Sequence, residues 1–110
     1  MSYSIKTTPQ FDKELKRIAS KYPSLKSDFK IFLEEIASGP IAGVALGNNC
    51  YKVRLAISSK GKGKSGGARV IIFVVLVKKE ILLLSIYDKS EKATISNAEI
   101  LKRLKPYLEP

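Results

Sequence analysis

The hydrophobic period of this chain changes once, near its midpoint, and that change confines it to an α+β fold. Before residue 40 the apolar residues recur at three- and four-residue spacing: Phe11, Leu15, Ile18 and Tyr22, then Leu25, Phe29, Phe32, Leu33 and Ile36. Each set forms one stripe along a helix. After residue 50 the period is two. Tyr51, Val53, Leu55 and Ile57 alternate with Lys52 and Arg54, so one strand face is apolar and the other cationic. The two patterns belong to different elements, and their order places helices first and a sheet second.

Local signals bound the elements. Tyr3–Lys6 alternates and reads as a short strand. Thr8 followed by Pro9 is a helix start, with Thr as N-cap and Pro at the first helical position. Pro23 separates the two apolar stripes, which predicts a helical hairpin, and Gly39-Pro40 ends it. Residues 39–49 are rich in Gly and Asn and read as a loop. Val70 to Val77 is a continuous apolar run, the pattern of a central strand covered on both faces. Lys78-Lys79-Glu80 reads as a turn, and Ile81 to Tyr87 as the next strand. Short connections favour antiparallel pairing, because a parallel pair needs a long crossover. Ser96 with Glu99 three residues later is a capping-box signature, opening a helix that carries Ile100, Leu101, Leu104 and Leu108. The expectation is one α+β domain over 1–110: an N-terminal helical hairpin packed on a small antiparallel sheet, closed by a C-terminal helix.

Several classes of protein are disfavoured. The 110 residues suit a single domain, and a hydrophobic content of 45% is too high for a mainly disordered chain. No apolar run approaches the roughly 20 residues that cross a bilayer, so no membrane partner is expected. The first ten residues, MSYSIKTTPQ, have no apolar signal core, which predicts a cytoplasmic location. Cys50 is the only cysteine and there is no histidine, so an internal disulfide is impossible and a structural zinc site is unsupported. Cys50 itself has no neighbouring His or base, and reads as a buried or indifferent thiol. No residue pattern indicates a cofactor.

Charge is the first positive clue. Twenty Lys and Arg against ten Asp and Glu give a formal net charge of +10. Residues 1–50 hold seven basic and five acidic side chains, whereas residues 51–110 hold thirteen and five. Six of those cations, Lys52, Arg54, Lys60, Lys62, Lys64 and Arg69, fall in one stretch without an acid. Such a concentration fits a polyanionic partner, nucleic acid first, and also fits a solvated surface that keeps the protein in solution.

The segment Ser58-Ser59-Lys60-Gly61-Lys62-Gly63-Lys64-Ser65 ends like a phosphate-binding P-loop, but the match fails. The motif's first glycine is Ser58 here, and the segment leads into a strand instead of a helix whose N-terminus would receive phosphate. It reads better as a cationic hairpin loop whose Lys60, Lys62 and Lys64 follow a phosphate backbone, or as an ordinary solvated tip. Lys52 and Arg54 project from one strand face, and Arg69 opens the next strand, where it can join that face or its rim. At the end of the last strand, Tyr87 is a candidate for stacking on a base and Lys89 for holding phosphate; the alternative for Tyr87 is packing on the core.

Chemistry at such a site is restricted. Imidazole acid–base catalysis is unavailable, and no carboxylate pair lies in the basic stretch to support metal-dependent hydrolysis. RNA cleavage needs less. The 2′-hydroxyl is an internal nucleophile, so a protein can act by aligning it with the phosphate and stabilising developing charge. Guanidiniums bind phosphoryl oxygens bidentately, and clustered cations ease proton loss from a lysine.

The order of elements and these residues resemble the RelE/ParE superfamily of bacterial type II toxin–antitoxin modules, in its RelE-like and HigB-like branch. The resemblance spans nearly the whole chain and is carried by Tyr51-Lys52-Val53-Arg54-Leu55, by the run from Ser59 through Gly-Lys-Gly-Lys-Ser-Gly-Gly-Ala-Arg to Ile71, and by Ile86-Tyr87-Asp88-Lys89-Ser90-Glu91. It implies a RelE-like fold and an endoribonuclease that cleaves messenger RNA on the ribosome without a metal or cofactor. It also implies a cognate antitoxin protein, with ribosome and mRNA as the other partners. Carried over by position, Lys52 and Arg54 match the basic strand pair, Arg69 the arginine that contacts the scissile phosphate, and Lys89 a basic residue after the last strand. Lys52 is the first candidate for proton transfer. Two positions depart from the pattern: Ser90 stands where a further arginine is found, and Ser96 near a tyrosine implicated in catalysis. The alternatives are a ParE-type gyrase-binding toxin with no catalysis of its own, and a non-catalytic nucleic-acid-binding module.

Overall fold

The computed structural model describes residues 2–39, 43–60, 66–92 and 94–108. Five strands and three helices follow in the order β1 (Ser4–Thr7), α1 (Pro9–Ala19), α2 (Leu25–Ser38), β2 (Val44–Gly47), β3 (Cys50–Leu55), β4 (Ala68–Val75), β5 (Glu80–Asp88) and α3 (Asn97–Leu104). Single 3-10 turns follow β3 at Ser58–Lys60 and α3 at Lys105–Tyr107.

The helices begin where their caps require. Thr8 Oγ1 accepts from the Phe11 amide at 3.3 Å, and Pro9 occupies the first turn of α1. Ser96 Oγ accepts from the Glu99 amide at 3.1 Å and starts α3. Phe11 and Ile18 of α1 and Leu25, Phe32 and Ile36 of α2 are buried in one core against the sheet. Leu15, Tyr22, Phe29 and Leu33 flank it, partly buried. The predicted helical hairpin is present and covers one sheet face.

The sheet order is β1-β5-β4-β3-β2. Strands β2 to β5 are antiparallel neighbours, as short connections dictate. β1 differs: it pairs parallel with β5, Ser4 opposite Glu80 and Thr7 opposite Leu83. Everything between β1 and β5 serves as the long crossover that a parallel pair needs, so the sheet is mixed. Within 39–49, read as a loop, lies β2. Asn48 and Asn49 have φ of 55° and 61°, the two-residue primed turn that joins β2 to β3. The strand after Gly67 begins at Ala68 and ends at Val75, not Val77. Leu76 and Val77 are exposed in a turn that extends to Lys79, and Glu80 already pairs as strand. In α3 only Ile100 and Leu104 are buried; Leu101, and Leu108 beyond it, are exposed.

Two cores result. Val53, Leu55, Ala68, Val70, Ile72, Val74, Ile81, Leu83 and Ile86 pack under α1 and α2. Cys50, Ile71, Leu84 and Tyr87 pack under α3 with Ile95, Ile100 and Leu104. A bulge makes this possible in β5. Ile71 pairs with Ser85 but Ile72 pairs with Leu83, leaving Leu84 as the extra residue. Face parity therefore flips along β5: Leu82 and Leu84 belong to the α3 side, and so does Tyr87. Beyond β1 the free edge of β5 is covered by side chains. Thr8 Oγ1 donates to the Leu83 carbonyl at 3.1 Å, Arg103 Nη1 to the Leu84 carbonyl at 3.0 Å, and Glu14 Oε1 accepts from the Ile86 amide at 3.2 Å.

Candidate functional site

Lys52, Arg54 and Arg69 share one face of the sheet. Val53 and Leu55 turn toward α1 and α2, so Lys52 and Arg54 turn away from them. In the β3–β4 ladder Arg54 lies directly opposite Arg69, and Lys52 opposite Ile71. Directly opposed residues have Cβ atoms about 5 Å apart, and diagonal neighbours such as Lys52 and Arg69 about 7–8 Å. Arg69 in turn pairs with Tyr87, so Arg54, Arg69 and Tyr87 form a row across three strands.

The three cations differ in setting. Arg54 is exposed, Lys52 is half-buried, and Arg69 is 7% exposed with Nη1 donating to the Ala68 carbonyl at 3.3 Å. β2 pairs β3 only as far as Lys52. At that open edge a cleft of about 360 Å³ is lined by Glu35, Ile36, Gly39, Gly43, Lys52 and Arg54. Glu35 went unrecognised in the sequence, because nothing local to α2 shows that its C-terminal turn reaches the cationic strand.

Tyr87 is 4% exposed and belongs to the α3-side core, so its ring offers no face to a base, and the packing alternative holds. Its phenol oxygen is buried and, among the described residues, has no hydrogen-bond partner of ordinary geometry. Burial pushes the phenol above its usual range, with the Thr94 hydroxyl and the Arg69 charge acting the other way. Cys50 is buried too, and burial pushes its thiol up to about 11.

Lys60 departs from the expectation of a phosphate-following side chain. Its side chain is 11% exposed, its ammonium meets Asp88 Oδ1 at 2.7 Å, and it lies 5.1 Å from the centre of the Tyr22 ring. The charge is engaged inside the protein because the 3-10 turn at Ser58–Lys60 folds back onto α2, the α1–α2 connection and β5. Lys62 and Lys64 lie outside the described residues. Lys89 is exposed in the turn after β5, and its amide donates to the Gly67 carbonyl at 3.4 Å. Ser90, at a departing position, donates through its amide and its hydroxyl to Asp88 Oδ1. Ser96 caps α3.

This cationic sheet face presents the exposed Arg54 guanidinium and the half-buried Lys52 ammonium, with the guanidinium of Arg69 almost wholly buried beside them. Among the described residues no three His, Cys, Asp or Glu side chains cluster as metal ligands. No helix among them is long and apolar enough to cross a membrane.

Residues 10–106 match the family model described as the RelE toxin of the RelE/RelB toxin–antitoxin system. The fold is similar to that of an arginine-to-alanine double mutant of the E. coli toxin RelE in the free state, with 21% identity and a TM-score of 0.65 over 94% of this chain and 99% of that one. It is similar to a chain of the intact E. coli RelBE toxin–antitoxin complex, with 21% identity and a TM-score of 0.59 over 79% of this chain and 96% of that one. A chain of the RelBE2 toxin–antitoxin complex from Mycobacterium tuberculosis matches at 10% identity and a TM-score of 0.58, over 80% of this chain and 99% of that one.

Proposed function

The chain belongs to the RelE toxin family, and from that premise we propose that it is a ribosome-dependent endoribonuclease that cleaves messenger RNA without a metal and so stops translation. The observation that carries the reading is the direct pairing of Arg54 with Arg69, with Lys52 one step along the same face. The guanidiniums of Arg54 and Arg69 bind the non-bridging oxygens of the scissile phosphate and stabilise the charge that builds in the transition state. The 2′-hydroxyl of the preceding nucleotide is the nucleophile, aligned by the ribosome-held message. Lys52 is the candidate for proton transfer at that hydroxyl, and Lys89 holds the flanking phosphate. The cleavage leaves a 2′,3′-cyclic phosphate and a 5′-hydroxyl, so protons move but no water is consumed.

A cognate antitoxin is the expected protein partner, since solved relatives are described as RelB–RelE complexes. An acidic or helical segment laid over the basic face would mask the phosphate contacts.

The test is ribosome footprinting after induced expression, with purified programmed ribosomes as the second arm. Message cut in the decoding site, and lost on Arg69→Ala, is the expected result. DNA damage with intact message points to the gyrase-binding alternative. Intact message and intact DNA, with RNA retained on the protein, leaves a binding module. A Lys52→Ala variant that cuts at the wild-type rate removes Lys52 from the mechanism.

A further inference from the structure

Asp88 gathers more polar partners than any other carboxylate described. Oδ1 accepts from Lys60 Nζ at 2.7 Å, the Ser90 hydroxyl at 2.8 Å and the Ser90 amide at 3.0 Å, while Oδ2 accepts from the Tyr22 hydroxyl at 2.7 Å. Its carbonyl accepts from the amides of Glu91 and Lys92, both at 3.0 Å. Burial favours the neutral acid, but these donors outweigh it and hold the carboxyl well below the usual range.

Lys60 sits at the entry of the basic loop, and Asp88 itself pairs with Ala68 at its exit. Lys60 is the last described residue before it. Ser58 and Ser59, just upstream, are fastened as well: the Ser58 amide and hydroxyl donate to Asp28 at 2.8 and 2.5 Å, and the Ser59 amide donates to Ser24 Oγ at 2.8 Å. At the other root the Gly67 carbonyl accepts from the Lys89 amide. Arg17 of α1 and Lys21 just beyond it both pair with Glu91, which ties the segment after Asp88 to the α1–α2 connection that carries Tyr22.

We propose that Asp88 is a positioning residue: by clamping Lys60, Tyr22 and Ser90 it fixes the loop's entry and exit relative to Lys89 and Arg69, and Lys60 serves the site through Asp88 and not by touching RNA. The inference rests on the ribonuclease reading for its kinetic arm only. A phosphate contact and a positioning pair make opposite predictions. Losing a phosphate contact raises KM and lowers the slope of log KM against log salt by about one. Losing a positioning pair lowers kcat and leaves both nearly unchanged.

The experiment compares the wild type with Lys60→Met, Lys60→Arg, Tyr22→Phe and Lys89→Met in cleavage of message on programmed ribosomes, at several salt concentrations. The expected result for Lys60→Met is about a tenfold fall in kcat at unchanged KM and salt slope, with most of the rate regained in Lys60→Arg. Tyr22→Phe gives a smaller fall of the same kind. In a Lys89→Met background the further loss from Lys60→Met shrinks, because the group being positioned is gone. A raised KM with a flatter salt slope overturns the proposal, as does equal loss in both backgrounds. Amide hydrogen exchange on the same variants decides the matter independently of activity. Faster exchange in Lys60→Met confined to residues 66–67 and 89–92 upholds the clamp even if the wild type cuts no message. Unchanged exchange there overturns it while leaving the ribonuclease reading intact.

Discussion

Arg54 and Arg69 stand directly opposite each other in the β3–β4 ladder, on the sheet face turned away from α1 and α2. Like charges in directly opposed strand positions repel, and the fold accepts this at the place where a polyanion would bind.

Replacing Arg54 with Gln is therefore expected to stabilise the protein while disabling it. The relief of about 0.5 kcal/mol corresponds to a rise in Tm of about 2–4 °C. Arg69→Ala is expected to lower kcat by about 100-fold, the size of losing one preorganised donor to a developing anion. Calorimetry and single-turnover cleavage check the pair; a lowered Tm in Arg54→Gln contradicts the repulsion.

Gly67 has no room for a side chain. A Cβ there would lie 2.1 Å from the Leu55 carbonyl oxygen, whereas one on Gly39 meets nothing within 4 Å. Gly67→Ala must push β3 and the loop exit apart, at a cost of more than about 1 kcal/mol. Gly39→Ala stays within about 0.5 kcal/mol of wild type. Urea unfolding of the two variants distinguishes them, and equal midpoints would mean that the loop exit yields freely.

Acid stability follows from Asp88 and Asp28, both held below the usual carboxylate range despite burial, Asp88 by Lys60, Tyr22 and Ser90 and Asp28 by Ser58 and Ser24. The unfolded chain binds their protons first, near the ordinary aspartate value of about 3.9. Their contribution is thus complete above that pH and is lost as pH falls toward the folded values. Denaturant titrations from pH 7 to pH 3 should show stability dropping below about pH 5, with a shallower drop in Asp88→Asn. Parallel curves for the two proteins would exonerate Asp88.

Arg103 anchors α3. It meets both carboxylate oxygens of Glu14 at 2.7 and 2.8 Å, and its Nε meets Glu99 at 2.9 Å. Its hydrogen bonds to Glu14 raise its pKa first, with those to Glu99 adding to them against the effect of burial. Glu14→Gln keeps one acceptor oxygen but removes the charge opposite a cation that is 8% exposed and sets an NH2 group against its other donor, so a loss of about 2 kcal/mol is expected in guanidinium unfolding. A loss below about 0.5 kcal/mol would class the pair with ordinary surface bridges.

The chain order of residue types was enough for the helical hairpin, the caps at Thr8 and Ser96, the two faces of β3 and the buried character of β4. Each of these depends on neighbours within a few residues, where periodicity and capping chemistry act. The hairpin turn at Asn48-Asn49 was also written locally, since two positive-φ residues between alternating positions are hairpin chemistry. Glycine and asparagine suit loops as well, so composition hid it.

What only the folded chain decided is which charges meet. Lys60 and Lys52 look alike in sequence, yet one is locked to Asp88 inside the protein and the other flanks Arg54 on the cationic face. The partners of Lys60 lie 28 and 38 positions away, at Asp88 and Tyr22, and Glu35 of α2 lines the same cleft as Lys52 of β3 only in the folded chain. The parallel pairing of β1 with β5 and the bulge at Leu84 belong to the same class. Local sequence sets the period and the face of an element. Register, crossover and the burial of a charge are settled by packing between distant segments, where desolvation and shape make a side chain an internal ion pair or a site.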